Sequence, residues 1–165
     1  MKWGEMGKIR FRGYFTHVLD DRKRVAIPSQ FRNVIRHESE SKVILTPGYD
    51  REIAVYALKT WEEIEESELL TLSMDRLQSR RYRRHFTFGI KEDHLDAQGR
   101  ILIPDFLLEH SGINKDIIII GETDYFALWS PENCEKFKEE IEKFYHKDAE
   151  GIEKLRRRKN EGSVH

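Results

Sequence analysis

An internal repeat constrains the fold of this chain more than any other feature of its sequence. A D-x-x-x-R motif occupies residues 20–24 and is followed by V-A-I-P; the same pattern returns 76 residues later, at residues 96–100, followed by I-L-I-P. A second match, offset by 73 residues, aligns Ile53–Tyr56 with Phe126–Trp129. Because both matches keep the same order along the chain, the sequence predicts two copies of one structural unit.

Each copy has the same predicted order of elements: two short strands joined by the D-x-x-x-R turn, a helix, two further strands and a second helix. Helix starts are predicted at the N-cap residues Ser29 and Ser130 and at a capping box over Thr60–Glu63, and Gly112 marks a helix end. The predicted strands are Tyr14–Leu19, Arg24–Ile27, Lys42–Thr46, Ile53–Tyr56 and Asp116–Ile120.

These elements divide the chain into five predicted segments. With 38% apolar residues the repeats have enough material for a hydrophobic core, and 36% charged residues make the surface unusually charged. The segment at the C-terminus is expected to fray or to be disordered because it has little to bury. Five of its positive charges cluster near its end, at Lys154, Arg156, Arg157, Arg158 and Lys159. The segments are an N-terminal arm at 1–10, the first repeat at 11–72, a connecting helix at 73–86, the second repeat at 87–146 and a basic C-terminal tail at 147–165.

The sequence argues against an enzyme, a metal site and a membrane span. Residues 39–42 match the S-x-x-K string of acyl-serine enzymes, but the partner motifs of those enzymes are missing. A single cysteine, Cys134, and histidines without an H-x-x-x-H pair cannot build a structural zinc site, and we interpret His17 and His94 as surface or strand-edge side chains. Apolar runs such as Ile117–Ile120 are far shorter than the roughly 20 residues of a bilayer span. We therefore expect a soluble intracellular protein with no catalytic residue, metal or cofactor.

Basic residues cluster at two places, although the chain has a formal net charge of only −1. Arg22, Lys23 and Arg24 crowd the first D-x-x-x-R turn, with Arg12 one predicted strand away, and five arginines lie within residues 76–84. Guanidinium groups bond bidentately to phosphate and to the edge of guanine. Short turns that carry arginine therefore suit a nucleic-acid groove.

Two structural interpretations compete with nucleic-acid binding. The two motif aspartates could pair with the motif arginines within the chain and serve only to fix the turns. The arginines of residues 76–84 could form an ion-paired helix that packs against the acidic segment 62–68. A nearly neutral chain that separates basic turns from acidic helices can nevertheless bind a polyanion on one face.

The chain resembles the MraZ family, which belongs to the AbrB-like group of bacterial transcription regulators. The resemblance covers about residues 11–144 and is carried by the paired D-x-x-x-R motifs, the I-P pair after each, the arginine-rich aromatic run 80–86 and the W-S-P-E sequence at 129–132. It implies an α+β fold in which two tandem AbrB-like swapped-hairpin repeats form a pseudo-twofold β-barrel flanked by helices. It also implies homo-oligomers in the form of rings.

The function that the resemblance implies is sequence-specific DNA binding. The implied ligand is double-stranded promoter DNA with short direct repeats, upstream of the division and cell-wall gene cluster, which such regulators usually repress. The implied location is the cytoplasm, at the nucleoid. One alternative is an AbrB-type antitoxin or transition-state regulator, which predicts one hairpin copy and a separable partner-binding tail. Another is a ring-forming scaffold whose arginines serve only subunit contacts.

Carried over position by position, the resemblance assigns DNA contacts to both turns. Arg24 and Arg100 are expected to read bases or phosphates, while Asp20, Asp96 and Gly99 hold the turns. Flanking contacts are expected from Arg22, Lys23, Gln98 and Arg12, and additional basic contacts from Arg80, Arg81, Arg83 and Arg84. Lys23 stands where the family usually has glycine, and a lysine at positive φ costs roughly 1 kcal/mol.

Overall fold

The computed structural model describes residues 10–162, so the predicted arm lies outside the described residues except for Arg10. The chain divides into two compact units, one extending to Asn133 and the other beginning at Cys134. The strands are β1 (Tyr14–Val18), β2 (Arg24–Ala26), β3 (Lys42–Pro47), β4 (Ile53–Ala57), β5 (Lys91–His94), β6 (Arg100–Leu102), β7 (Asp116–Gly121) and β8 (Phe126–Trp129). The helices are α1 (Ser29–Ser39), α2 (Leu58–Ile64), α3 (Leu77–Thr87), α4 (Asp105–Ser111) and α5 (Pro131–Glu161), and a π-helical turn (Glu65–Leu69) follows α2.

The strands of the two repeats are interleaved. A six-stranded sheet has the order β1-β7-β8-β4-β3-β5, and β2 pairs with β6 in a separate two-stranded ribbon. All of these pairings are antiparallel, and β1–β7, β3–β5, β4–β8 and β2–β6 each join one repeat to the other. The set of pairings is unchanged when the two repeats are exchanged. The fold is therefore α+β, and each repeat supplies strands that the other needs.

One hydrophobic core lies between the repeats and takes equivalent residues from both. Val25 and Ile101 are buried at the centres of β2 and β6, and Ile27 and Ile103 follow them. Aromatic rings fill the middle: Phe31 of α1 packs 5.2 Å from Phe11 and 5.1 Å from Phe126, measured between ring centroids. This shared core fixes the positions of the D-x-x-x-R turns, because each turn leads directly into a core strand.

A second, smaller hydrophobic cluster positions the arginine-rich helix α3. Ile44, Trp61, Leu69 and Phe86 are its buried members, contributed by β3, α2, the π-helical turn and α3. Nε1 of Trp61 donates a hydrogen bond to Oε1 of Glu65 at 2.7 Å. The helix between the repeats is thus anchored by buried Phe86 and by Tyr82, whose hydroxyl lies 3.0 Å from that of Tyr49.

Two predicted helix boundaries are confirmed and two are wrong. Ser130 accepts the backbone N–H of Asn133 at 3.1 Å, and Gly112 ends α4 in the left-handed region at φ 67°. In helix α1 the cap position is taken by Pro28, which is extended at ψ 138° and makes no side-chain cap hydrogen bond, and Ser29 is the first helical residue. Thr60 is buried inside α2, which begins at Leu58, so the predicted capping box does not form.

The tail does not fray where the structure describes it. Helix α5 is 31 residues long and continues through residues 147–161, and Arg157 pairs with Glu153 one turn earlier. Long unbranched side chains favour helix, and pairs four residues apart add to it, which explains why the basic segment is helical. Within residues 10–162 no helix is long and apolar enough to cross a bilayer.

Candidate nucleic-acid interface

The two D-x-x-x-R motifs form turns of the same geometry, named here turn 1 (residues 20–24) and turn 2 (residues 96–100). In turn 1, Oδ1 of Asp20 accepts the backbone N–H groups of Arg22 and Arg24 at 2.9 Å, and Oδ2 accepts Nε–H of Arg24 at 2.9 Å. An aspartate can do this because its short side chain reaches the backbone two residues ahead. The carboxylate thus orders both the turn and the arginine at its end.

Turn 2 repeats this network atom for atom. Oδ1 of Asp96 accepts the backbone N–H groups of Gln98 and Arg100 at 2.9 Å, and Oδ2 accepts Nε–H of Arg100 at 2.9 Å. In both turns the backbone hydrogen bonds from residue 24 or 100 lower the pKa of the aspartate carboxyl below its usual value. Both carboxylates are therefore charged at neutral pH, and each engages only one of the donors of its arginine.

The ribbon of β2 and β6 joins the two turns into one surface. Ile27 donates its backbone N–H to the carbonyl of Gly99 at 2.9 Å, and Ile103 donates to the carbonyl of Lys23 at 2.8 Å. Nη1 of Arg100 lies 3.7 Å from Oδ2 of Asp20, so the arginine of turn 2 also pairs with the aspartate of turn 1. The two motif arginines, each about a quarter exposed, are thus held side by side.

The two turns differ at the position before the arginine. Lys23 adopts φ 59° and Gly99 adopts φ 75°, so both lie in the left-handed region that favours glycine. A Cβ at residue 99 would overlap the side chain of Arg32, whereas Lys23 extends to an ion pair with Asp105 at the start of α4. A side chain at residue 99 would therefore displace Arg32 as well as strain the backbone, whereas turn 1 bears only the conformational strain.

Arg32 of α1 is a residue of this site that the sequence analysis missed. Its Nη1 donates to the carbonyl of Gln98 at 3.3 Å, and its Nε is buried without a hydrogen-bond partner among the described residues. Arg32 therefore supports the backbone of turn 2. Arg32 and turn 2 are 66 residues apart in sequence and meet only because the repeats interleave. No local sequence signal could have identified it.

The remaining flanking residues are placed unequally. Arg22 and Gln98 are exposed on the two turns, and Oε1 of Gln98 accepts a hydrogen bond from Nη2 of Arg100 at 3.2 Å. Arg12 lies before β1 in the chain, and turn 1 lies after β1. The five residues of this strand span about 13 Å. The structure therefore does not bring Arg12 to the turns, because a strand carries its two ends apart.

The arginines of α3 form a separate basic surface. Nη1 of Arg80 donates to the carbonyls of Met74 and Asp75, both at 2.9 Å, and this closes the segment before the helix. Arg81 and Arg84 are exposed and Arg83 is partly exposed. Among residues 10–162 no ion pair joins these arginines to the acidic segment 62–68, so the alternative of an ion-paired helix has no support. Along the chain, β5 lies between α3 and turn 2.

The histidines near the turns are strand-edge residues, as expected. His17 lies in β1 and His94 in β5, which are the two outer strands of the six-stranded sheet. Partial burial lowers the pKa of His17 below its usual value, so it is neutral at pH 7. The described residues contain no cluster of three or more His, Cys, Asp or Glu side chains able to hold a metal ion.

Comparison with known proteins identifies the family of this chain. The family model of the MraZ protein, described as antitoxin-like, matches residues 10–85 and again 86–155. A protein named Transcriptional regulator MraZ from Caldanaerobacter subterraneus subsp. tengcongensis is 38% identical over 141 residues, which is 86% of this chain and 95% of the relative. Proteins of the same name from Clostridium acetobutylicum (39% over 129 residues; 78% and 87%) and Leuconostoc citreum (32% over 142 residues; 86% and 96%) are also similar. The chain belongs to the MraZ family.

Proposed function

We propose that this protein is a transcriptional regulator that binds promoter DNA through turns 1 and 2. The observation that carries the proposal is the pair of aspartate-ordered arginines, whose guanidinium groups are fixed on adjacent turns before any ligand binds. A guanidinium group that is already held in place loses little conformational freedom when it binds a phosphate or the edge of a guanine. The name of the relatives, transcriptional regulator, agrees with this use of the turns.

The proposed scaffold for the turns is an AbrB-like swapped-hairpin barrel with pseudo-twofold symmetry. Its support is the strand pairing, which is unchanged when the repeats are exchanged. Under this symmetry, turns 1 and 2 contact DNA in equivalent ways from one face of the barrel. Arg22, Lys23 and Gln98 then flank the motif arginines, and Arg81 and Arg84 add basic surface along α3.

The proposed target is a set of short direct repeats in the promoter of the protein's own gene, ahead of the division and cell-wall gene cluster. A ring-shaped homo-oligomer would place many copies of the turns in a row, and each repeat of the DNA would engage one copy. Several weak contacts then multiply through effective concentration. Occupancy of the promoter would repress transcription, and the protein would reside in the cytoplasm at the nucleoid.

Binding of the full chain to two duplexes tests this function. One duplex contains the DNA immediately upstream of the protein's own reading frame, and the other is a scrambled sequence of the same length and composition. We expect tighter binding to the first duplex at every salt concentration, with log K falling by about 0.9 per phosphate contact for each tenfold rise in salt. Equal affinity for the two duplexes would contradict a specific regulator, and no salt-dependent binding would favour a scaffold.

A further inference from the structure

Helix α5 carries an apolar stripe that is exposed along its length. Ile141, Tyr145, Ile152 and Leu155 are each at least half exposed, and with Asp148 they follow a spacing of four, three, four and three residues on one face. None of the described residues of α5 is buried. A helix with one apolar face and no buried residue needs a partner surface to remove that face from water.

A glycine inside α5 supports the presence of such a partner. Gly151 lies in the middle of the helical sequence, where glycine weakens a helix relative to alanine. Apart from the helix backbone itself, no described atom lies within 4 Å of the place where its Cβ would be, so packing within the chain does not require a glycine there. Close approach by a second molecule gives a physical reason for the missing side chain.

The charges of α5 are unevenly distributed along its axis. Residues 134–142 contain four acidic and two basic side chains, whereas residues 154–161 contain five basic side chains and one acidic. Two copies side by side in parallel would place the basic ends together, and two antiparallel copies would place each basic end beside an acidic segment. The family match ends at residue 155, so Arg156–Lys159 lie beyond the matched region.

We propose that α5 pairs antiparallel with α5 of a second copy of this chain. The spacing of the stripe sets Ile141 against Ile152 of the partner subunit and Tyr145 against Asp148 of the partner subunit. On the flanks, Phe144 lies against Gly151 of the partner subunit, where the missing side chain leaves room for the ring. Glu135 lies beside Arg156 of the partner subunit. This pairing is independent of whether the turns bind DNA.

The mass of the full chain in solution tests the pairing. The variant Ile152→Glu places a charge in the stripe, and Lys147→Gln makes the same change in net charge away from it. By light scattering at micromolar concentration, we expect the wild type and Lys147→Gln to have the same mass and Ile152→Glu to have a mass at least twofold lower. An unchanged mass for Ile152→Glu would overturn the proposal. A lower melting temperature at unchanged mass would show that the stripe packs within one chain instead.

The single cysteine of the chain tests the orientation of the two helices. In the antiparallel register, Cys134 lies opposite residue 159 of the partner subunit and roughly 38 Å from the other Cys134, given a rise of 1.5 Å per residue. With a short bismaleimide, we expect Lys159→Cys to give a covalent dimer, and neither the wild type nor Lys159→Cys combined with Cys134→Ser to do so. Cross-linking of the wild type through Cys134 would show a parallel pair. Failure of Lys159→Cys to cross-link would reject the antiparallel register.

Discussion

At the scale of single residues, Asp20 and Asp96 hold the side chains of the motif arginines in an ordered position. Each carboxylate accepts two backbone N–H groups and one Nε–H, so the backbone of the turn and the arginine side chain are fixed together. The depressed pKa of each carboxyl follows from the same contacts. An aspartate that holds its turn and an arginine that reads DNA are therefore compatible roles.

These contacts predict a dependence of stability on pH. Because the folded pKa of each carboxyl is below its ordinary value of 3.8, the stabilisation is complete above about pH 4 and is lost as the pH falls through the folded pKa. We expect Asp20→Asn and Asp96→Asn to melt below the wild type at pH 6, and this difference to shrink towards pH 3. A difference in melting temperature that is constant from pH 6 to pH 3 would contradict the assignment.

The unlike residues Lys23 and Gly99 give a matched pair of predictions. Lys23→Gly removes a left-handed lysine and sacrifices only an exposed ion pair, so we expect it to raise the free energy of unfolding by up to about 1 kcal/mol. Gly99→Ala adds a Cβ at φ 75° and against Arg32, so we expect a loss greater than about 1 kcal/mol. Denaturant unfolding of both variants measures the two values. Effects of the same sign would contradict the difference between the turns.

At the scale of secondary-structure elements, the sequence predicted correctly those features that depend on residues close together along the chain. The turn strands, the cap at Ser130 and the helix end at Gly112 depend on residues close to one another along the chain, and these predictions are confirmed. The capping box at Thr60 is wrong: α2 begins at Leu58, and Thr60 is buried inside it beside Trp61, a member of the second cluster. Packing between distant segments overrode a local signal there.

The parts of the site that could not be predicted share one cause. Arg32 touches turn 2, and Asp105 pairs with Lys23 of turn 1, and each contact joins one repeat to the other. The motif residues themselves were identifiable because each turn closes locally, four residues from aspartate to arginine. Residues that meet only through strand exchange carry no pattern within their own repeat.

The shared core predicts a large effect from one helix residue. Phe31 of α1 is 1% exposed and its ring contacts Phe11, Phe15 and Phe126, which come from both repeats. We expect Phe31→Ala to lower the free energy of unfolding by about 3–5 kcal/mol, from lost burial and the cavity left behind. Denaturant unfolding should give a single transition with a lower midpoint. A loss below about 1 kcal/mol would show that the repeats do not depend on this contact.

At the scale of the whole molecule, interleaving makes the repeats dependent on each other. A fragment of residues 10–85 would lack β7 beside β1, β5 beside β3 and β6 beside β2. We expect this fragment to be unfolded as a monomer by circular dichroism, and to fold only where two copies exchange strands as the repeats do. A folded monomer of the fragment would contradict the interdependence of the repeats.

The same interdependence joins turns 1 and 2 into one surface, the one proposed to bind DNA. Arg100 pairs with Asp20 as well as with Asp96, so the removal of either motif arginine disturbs a surface that contains both. In the proposed oligomer the loss would be repeated in every subunit that engages the DNA. Substitution of one arginine is therefore expected to have a larger effect on affinity than one contact alone would have.

The most direct measurement of the central claim is the affinity of Arg24→Ala and Arg100→Ala for the native upstream duplex, with Arg36→Ala of α1 as the matched control. We expect each turn variant to lose at least the roughly 1–3 kcal/mol of one arginine contact while remaining folded at the assay temperature, and Arg36→Ala to bind normally. Arg→Lys at residues 24 and 100 should also fail, because an ammonium lacks the planar fork. Normal melting together with normal binding in both turn variants would show that the turns do not read DNA.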